Sequence, residues 1–323
     1  VSDVGRLPDL ASRAYGGSVV AASDESFAER QALILPSAPV FQPHTFGFRG
    51  QVYDGWETRR RRTSGHDWAI VRLGLPGIVR GVVVDTAWFT GNHPATASVE
   101  ACALDGHPSV AELHAADWTE IVPRTPLTGD STHEFAVDHP VRVTHLRLNI
   151  HPDGGVARLR AHGEVVPDPL RYEGLTTDLA ALENGGLVIA CSNEFYSSPA
   201  NVLAPGLPRH QAEGWETARR RDEGNDWLIV RLGLPGVIHL AELDTTNLVY
   251  NAPAAASLTA ANLPQGAPLD DATWTPLLQR TPLQPDTRHH FRLSPSTSAT
   301  HVRLDIYPDG GLGRLRLHGT PAT

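Results

Sequence analysis

The chain contains no lysine and no methionine, so all 27 of its basic residues are arginine. Without lysine there is no side chain for Schiff-base catalysis and none for the phosphate-gripping lysine of nucleotide loops. Only two cysteines are present, Cys102 and Cys191, and where the two halves of the chain align they stand opposite Ala261 and Ala22. Unpaired in this way, they point to a reduced, cytoplasmic protein. No apolar run reaches the length of a membrane span, and the opening VSDVGRLPDL lacks the basic end and apolar centre of a secretion signal. Basic residues are outnumbered 27 to 36, for a net charge of −9. That balance argues against nucleic acid and against anionic membrane surfaces, and leaves a small molecule or another protein as partner. Also missing are the compact metal patterns His-x-x-x-His, Asp-x-Asp and Cys-x-x-Cys, the Gly-x-Ser-x-Gly elbow and any glycine-rich phosphate loop. The cofactor therefore stays unassigned, and a divalent metal would have to be assembled from scattered Asp, Glu and His.

What the chain does have is a repeat. DLASRAYGGSVVAASDE from Asp9 returns as DLAALENGGLVIACSNE from Asp178, 169 residues on. DGWETRRRR from Asp54 returns as EGWETARRR from Glu213, 159 residues on, and THLRLNIHPDGGVARLRAHG from Thr144 as THVRLDIYPDGGLGRLRLHG from Thr300, 156 residues on. The falling offset makes the first copy about ten residues longer ahead of GWET, in a region containing the Phe- and His-rich SAPVFQPHTFGFRG, Ser37 to Gly50. Such a loop reads as a packing flap or interface ahead of a catalytic element. The copies join through EVVPDPLRYEGL, an exposed type of connector, which sets domains at 1–167 and 168–323. With 41% hydrophobic residues, each has enough apolar side chains for its own core.

The hydrophobic period is two. Leu146, Leu148 and Ile150 alternate with Arg147 and Asn149, as Val302, Leu304 and Ile306 alternate with Arg303 and Asp305. PDGG after each run reads as a turn and RLRAHG or RLRLHG as the returning strand of an antiparallel hairpin. DWAIVRLG, GVVVDTAWF and SVEACAL add further strands, and the one helical candidate is PDLASRAY with its counterpart TDLAALEN. The fold class is all-β, a tandem duplication of two jelly-roll β-sandwich domains.

The duplicated motif admits two readings. Trp56, Trp68, Trp215 and Trp227 read as core or sheet-edge fillers. In the run Arg59 to Arg62, either Glu57 pairs with one arginine and the rest are solvated, or a guanidinium fork grips a carboxylate. Asp85 and Asp244 end an apolar strand and either cap a turn or act as acid or base. Asn92 and Asn251 are kept, but His93 faces Ala252, His66 faces Asn225, Asp24 faces Asn193 and His151 faces Tyr307. The first copy is thus richer in groups that titrate near neutrality.

Together the stretches from Asp54 to Pro94, EGWETARRR with NDWLIVRLGLPG, LPDLAS, ASDESFA and CSNEFYSSPANVL resemble the allantoicase family over nearly the whole chain. The resemblance implies two galactose-binding-like jelly rolls, assembly into a homo-oligomer, and hydrolysis of allantoate to ureidoglycolate and urea in allantoin catabolism. The substrate carries a carboxylate and two ureido groups on one carbon. A site for it needs an arginine, ureido-binding groups and a proton carrier. Arg59, Arg60 and Arg61 are the expected carboxylate clamp, Asn92 the ureido partner, and Glu57, Asp85 or His93 the proton carrier. The second copy departs from the pattern, with Ala218 inside the arginine run and NLVYNAP in place of FTGNHP. A rival from another class is a non-catalytic tandem module that binds a carbohydrate or similar ligand through its end loops; a second is a family member that has lost activity.

Overall fold

The computed structural model describes residues Gly5, 7–264, 266–294 and 297–322. The chain divides into two compact units, Val1–Val166 and Pro167–Thr323, each built to the same plan. In the first unit the organising element is a single 19-residue strand, Asp67–Asp85. Its first part pairs with Ser18–Ala22 on one side and Val143–His151 on the other. Val143–His151 pairs in turn with Thr96–Cys102, and that strand with Thr119–Pro126. Beyond a register shift between Arg72 and Gly77, the same strand pairs with Arg158–Val165 and Thr132–Ala136. All of these pairings are antiparallel. The long strand thus serves both layers of a sandwich, and Val71, Val82, Val84, Val99, Leu146, Leu148, Ile150 and Leu159 fill the space between, all at most 1% exposed.

The second unit repeats this around the 19-residue strand Asp226–Asp244, flanked by Leu187–Cys191 and Ala299–Tyr307 in one part and by Arg314–Pro321 and Arg288–Arg292 in the other. The sandwich is therefore as expected, with two corrections to its parts. DWAIVRLG and GVVVD are one strand and not two. Pro76 and its flanking glycines lie where the chain passes from one layer to the other, so the missing proline N–H interrupts no ladder. Gly77 is required there, because a Cβ would come within 2.0 Å of the Glu164 carbonyl oxygen.

The expected hairpin around PDGG is also corrected. The turn is present, but Val143–His151 and Arg158–Val165 do not pair with each other; both pair with the long strand, in different layers. PDLASRAY and TDLAALEN are not helices beyond one 3-10 turn each, Arg13–Tyr15 and Leu182–Asn184. Glycines at φ 89° and 92° end both turns, and Leu10 instead donates its N–H to the Ala161 carbonyl at the sheet edge. The one α-helix among the described residues is Val110–Ala115, started by a capping box between Ser109 and Glu112. Trp56 and Trp215 are fully buried, with indole N–H groups donated to the carbonyls of Asp24 and Asn193. Cys102 and Cys191 form no disulfide. Among the described residues no helix is long and apolar enough to cross a membrane.

Candidate functional site

Four segments of the first unit converge on the short ladder in which Glu57 pairs with Gly155 and Trp56 with Val156. They are the turn after Ser18–Ala22, the GWETRRRR motif, the loop that follows Asp85, and PDGG. Phe27 and Ala28 donate their N–H groups to the Glu57 carbonyl, Gly155 donates to the Asn92 carbonyl, and Thr58 to that of Gly154. The backbone of each segment is thereby satisfied by another, which makes the end of the sandwich a fixed platform.

At its centre Asn92 Nδ2 donates to Glu57 Oε1 at 2.8 Å. Burial pushes the Glu57 carboxyl above its usual range, and the Asn92 hydrogen bond only partly opposes it. Its second oxygen has no hydrogen-bond partner among the described residues. In the second copy Asn251 Nδ2 holds Glu216 Oε1 at 2.7 Å, but Gln211 Nε2 occupies Oε2 at 2.5 Å. The same pair is therefore open in one copy and closed in the other.

Just after Glu57 along the chain, the arginine run lines a cavity of about 300 Å³, formed by Ser23, Asp24, Arg59 to Arg62, Thr63 and Asp67. Its four arginines differ in what they touch. Arg61 Nη1 binds the buried Asp67 at 2.7 Å, and its backbone N–H donates to Asp153 Oδ2 at 2.6 Å. Arg220 repeats both contacts with Asp226 and Asp309, which marks this arginine as a duplicated brace. Arg59 lies 3.4 Å from Asp24, and its N–H donates to the same carboxylate at 2.8 Å. Burial pushes Asp24 up, but hydrogen bonds from Arg59 and Ser26 and the Arg59 charge outweigh it, so the carboxyl sits below its usual range. Arg60 and Arg62 are exposed, with no ion pair among the described residues. Ala218 stands opposite Arg59, so the second copy lacks this pair, while Arg219 and Arg221 are retained.

Of the other expected site residues, Asp85 accepts the Ala87 N–H at 2.8 Å and so caps the turn leading to the Asn92 loop, as Asp244 does with Thr246. His93 Nδ1 faces the Thr90 carbonyl oxygen at 3.1 Å. A carbonyl only accepts, so Nδ1 carries the proton and Nε2 is left for other partners. The structure thus brings Glu57 and Asn92 together and places the arginines within chain reach of them. Glu57 and Arg60 are three residues apart, a Cα separation of at most about 11 Å.

Sequence reasoning passed over Asp67, Asp153 and Arg158. Arg158 is 1% exposed; its Nη2 binds Asp54 Oδ2 at 2.8 Å and its Nε the Ser37 carbonyl at 3.0 Å. The signal for Asp153 was the letter-for-letter retention of PDGG in both copies, which a turn alone does not demand.

A wider hollow of about 400 Å³ lies elsewhere, between His66, Glu100, Arg147, Asn149 and His151. Part of its lining is paired: Arg147 Nε and Asn149 Nδ2 each donate to Glu100 Oε2 at 2.7 Å. It is larger than the arginine cavity, and its lining includes the Glu120 carboxyl and the buried His151 Nε2, neither with a hydrogen-bond partner among the described residues. Among the described residues no three His, Cys, Asp or Glu side chains are grouped so as to hold a metal ion.

A family model described as the allantoicase repeat matches residues 8–166 and again 177–322. A probable allantoicase of Nocardia farcinica is 55% identical over 316 residues, 97% of this chain and 94% of that protein. One of Streptomyces coelicolor is 49% identical over 325 residues, covering 97% and 85%. Among solved structures, the allantoicase of Saccharomyces cerevisiae superimposes with a TM-score of 0.78 at 33% identity, covering 97% of this chain and 92% of that one.

Proposed function

The chain belongs to the allantoicase family, and from that premise we propose that the platform around Glu57 in the first copy is its active site. The protein is a hydrolase acting on an amidine C–N bond, converting allantoate and water to ureidoglycolate and urea. The observation that carries the site assignment is the asymmetry of the duplicated carboxyl: Glu57 keeps one oxygen available, while Glu216 has both engaged.

Arg60 and Arg62, with Arg59 beside them, supply the positive charge for the substrate carboxylate, and planar guanidiniums suit that group in two-point fashion. Asn92 bridges Glu57 and a ureido group. Glu57, whose carboxyl burial pushes above its usual range, gives its proton to the departing ureido nitrogen as the C–N bond breaks. The resulting carboxylate takes a proton from the water that adds to the same carbon. One C–N bond is lost, one N–H and one C–O bond form, and the glutamic acid is regenerated. Asp85 shapes the loop that carries Asn92, and His93, with Nε2 available, lies close enough in sequence to hydrogen-bond the same substrate.

The reading extends to a cytoplasmic enzyme of allantoin breakdown that assembles as a homo-oligomer. The apolar side chains of Phe46, Phe48 and Tyr250, 70%, 97% and 99% exposed, support self-association. A non-catalytic binding module is not favoured, because the relatives matched over nearly their full length carry the allantoicase name. The activity is tested by urea release from allantoate by the purified protein, as isolated, after chelation and with manganese restored. Turnover is expected; a folded protein that releases no urea in any of these conditions contradicts the reading.

A further inference from the structure

The one large difference in length between the copies is tied into this site by a run of aromatic rings that the second copy lacks. Phe41, in the insertion, stacks on Trp88 with centroids 5.5 Å apart and planes 18° apart, and lies 6.0 Å from Tyr53. Tyr53 stacks in turn on Phe89 at 4.8 Å and 24°. Trp88 and Phe89 open the loop that ends in Asn92. Opposite them the second copy has Asn247 and Leu248, with Ala212 opposite Tyr53 and no aromatic residue between Tyr196 and Trp215.

Both ends of the run are anchored. Trp88 Nε1 donates to the Pro39 carbonyl at 3.1 Å, and Val40 donates its N–H to the Asp54 oxygen that Arg158 also holds. At the other end Phe89 is fully buried against two glycines. A Cβ on Gly155 would lie 2.1 Å from its ring, and one on Gly55 2.8 Å. Gly155 is the residue paired with Glu57, and Gly55 precedes the strand that carries Glu57. Trp88 also holds a φ of 71°, costly for a bulky side chain, whereas Asn247 at 69° is of a type that tolerates it. Tryptophan is kept at this position by its contacts and not by its backbone.

We infer that the insertion is a positioning element: Phe41, acting through Trp88, Tyr53 and Phe89, anchors the Asn92 loop over Glu57 in the first copy, where the second copy anchors the corresponding loop through Asn247 Nδ2 on the Pro208 carbonyl at 2.9 Å. Phe41 and Trp88 touch none of the reacting atoms. The inference rests on Glu57 being the proton carrier.

The test compares full-length Phe41→Ala, Phe41→Tyr, Trp88→Asn and Glu57→Gln in steady-state kinetics across pH. Trp88→Asn installs the second copy's residue, which accepts the same backbone angle, so folding is retained even if Phe41→Ala proves unstable. For Phe41→Ala and Trp88→Asn, kcat falls about ten- to a hundredfold with KM changed less than about twofold, as misplacement without lost binding requires. The basic limb of the kcat profile moves to higher pH as the displaced Asn92 loses its hold on Glu57, and Phe41→Tyr restores both kcat and limb. Unchanged kcat in both variants, or a fall in kcat with an unmoved limb and no rescue by tyrosine, overturns the inference. Full turnover by Glu57→Gln would overturn the active-site reading itself, whereas its collapse beside a normal Phe41→Ala removes the positioning role alone.

Discussion

Replacing Arg61 by methionine separates bracing from binding within the arginine run. Arg61 Nη1 lies 2.7 Å from an Asp67 carboxylate whose side chain is 4% exposed, and the only other side-chain donor to that carboxylate among the described residues is Ser23 Oγ at 3.0 Å. Removing one partner of a buried pair costs about 3–5 kcal/mol. Arg61 itself is 28% exposed, so water entering the vacated space solvates Asp67 in part, and Ser23 still donates. The loss should therefore lie below that range, at about 2–3 kcal/mol. For a unit of this size that lowers the first calorimetric transition by about 4–12 °C. Arg60→Gln does the reverse. Arg60 is exposed and braces nothing, so its melting stays within about 0.5 kcal/mol of the parent. Loss of a charged contact to the substrate carboxylate, about 1.5–3 kcal/mol, raises KM about 10- to 150-fold. If Arg61→Met melts like the parent while its KM rises, Arg61 is the substrate's partner and the division of labour is reversed.

Asn92→Ala removes the hydrogen bond that favours ionised Glu57, so the already raised carboxyl rises further and the basic limb of kcat moves to higher pH. A downward shift would contradict this. Because the folded-state pKa of Glu57 lies above its unfolded value, its contribution to stability is full below the unfolded value and is lost as pH rises through the folded one. Glu57→Gln should consequently melt above the parent at neutral pH and level with it below about pH 4, in scanning calorimetry. Arg158→Met leaves the Asp54 carboxylate, 27% exposed and still accepting the Val40 N–H, without its ion-pair partner, and chemical denaturation should show the first unit weakened by about 2–3 kcal/mol, below the range for a fully buried pair.

The sandwich and its duplication were readable because apolar side chains recur at every second position in Val143–His151 and Ala299–Tyr307, and because the copies repeat their turn chemistry. The hairpin was misread for a physical reason. Adjacency in sequence predicts pairing only when both strands stay in one layer, and here the long strand enters both. Local composition also misled at PDLASRAY, where alanine and leucine suggest a helix but Ser12 and Gly16 bound a single turn. The Ser109–Glu112 capping box was legible and marks the helix that was missed. In the candidate site, Glu57, Asn92 and the arginines were singled out from the duplicated segments, and Asp85 was left between capping a turn and titrating. Their division of labour was not legible. Which arginine meets Asp67, and whether a glutamine reaches a carboxyl five residues away, are settled by side-chain directions that the repeat does not encode.

The central claim is that a duplicated glutamate does its chemistry in one copy only. Urea release from allantoate by Glu57→Gln and by Glu216→Gln, each checked for folding, tests it most directly. A fall of about 10²- to 10⁴-fold is expected for Glu57→Gln, the usual contribution of a positioned proton carrier, and a change of less than about twofold for Glu216→Gln. Equal losses in the two variants, or a loss confined to Glu216→Gln, would contradict it.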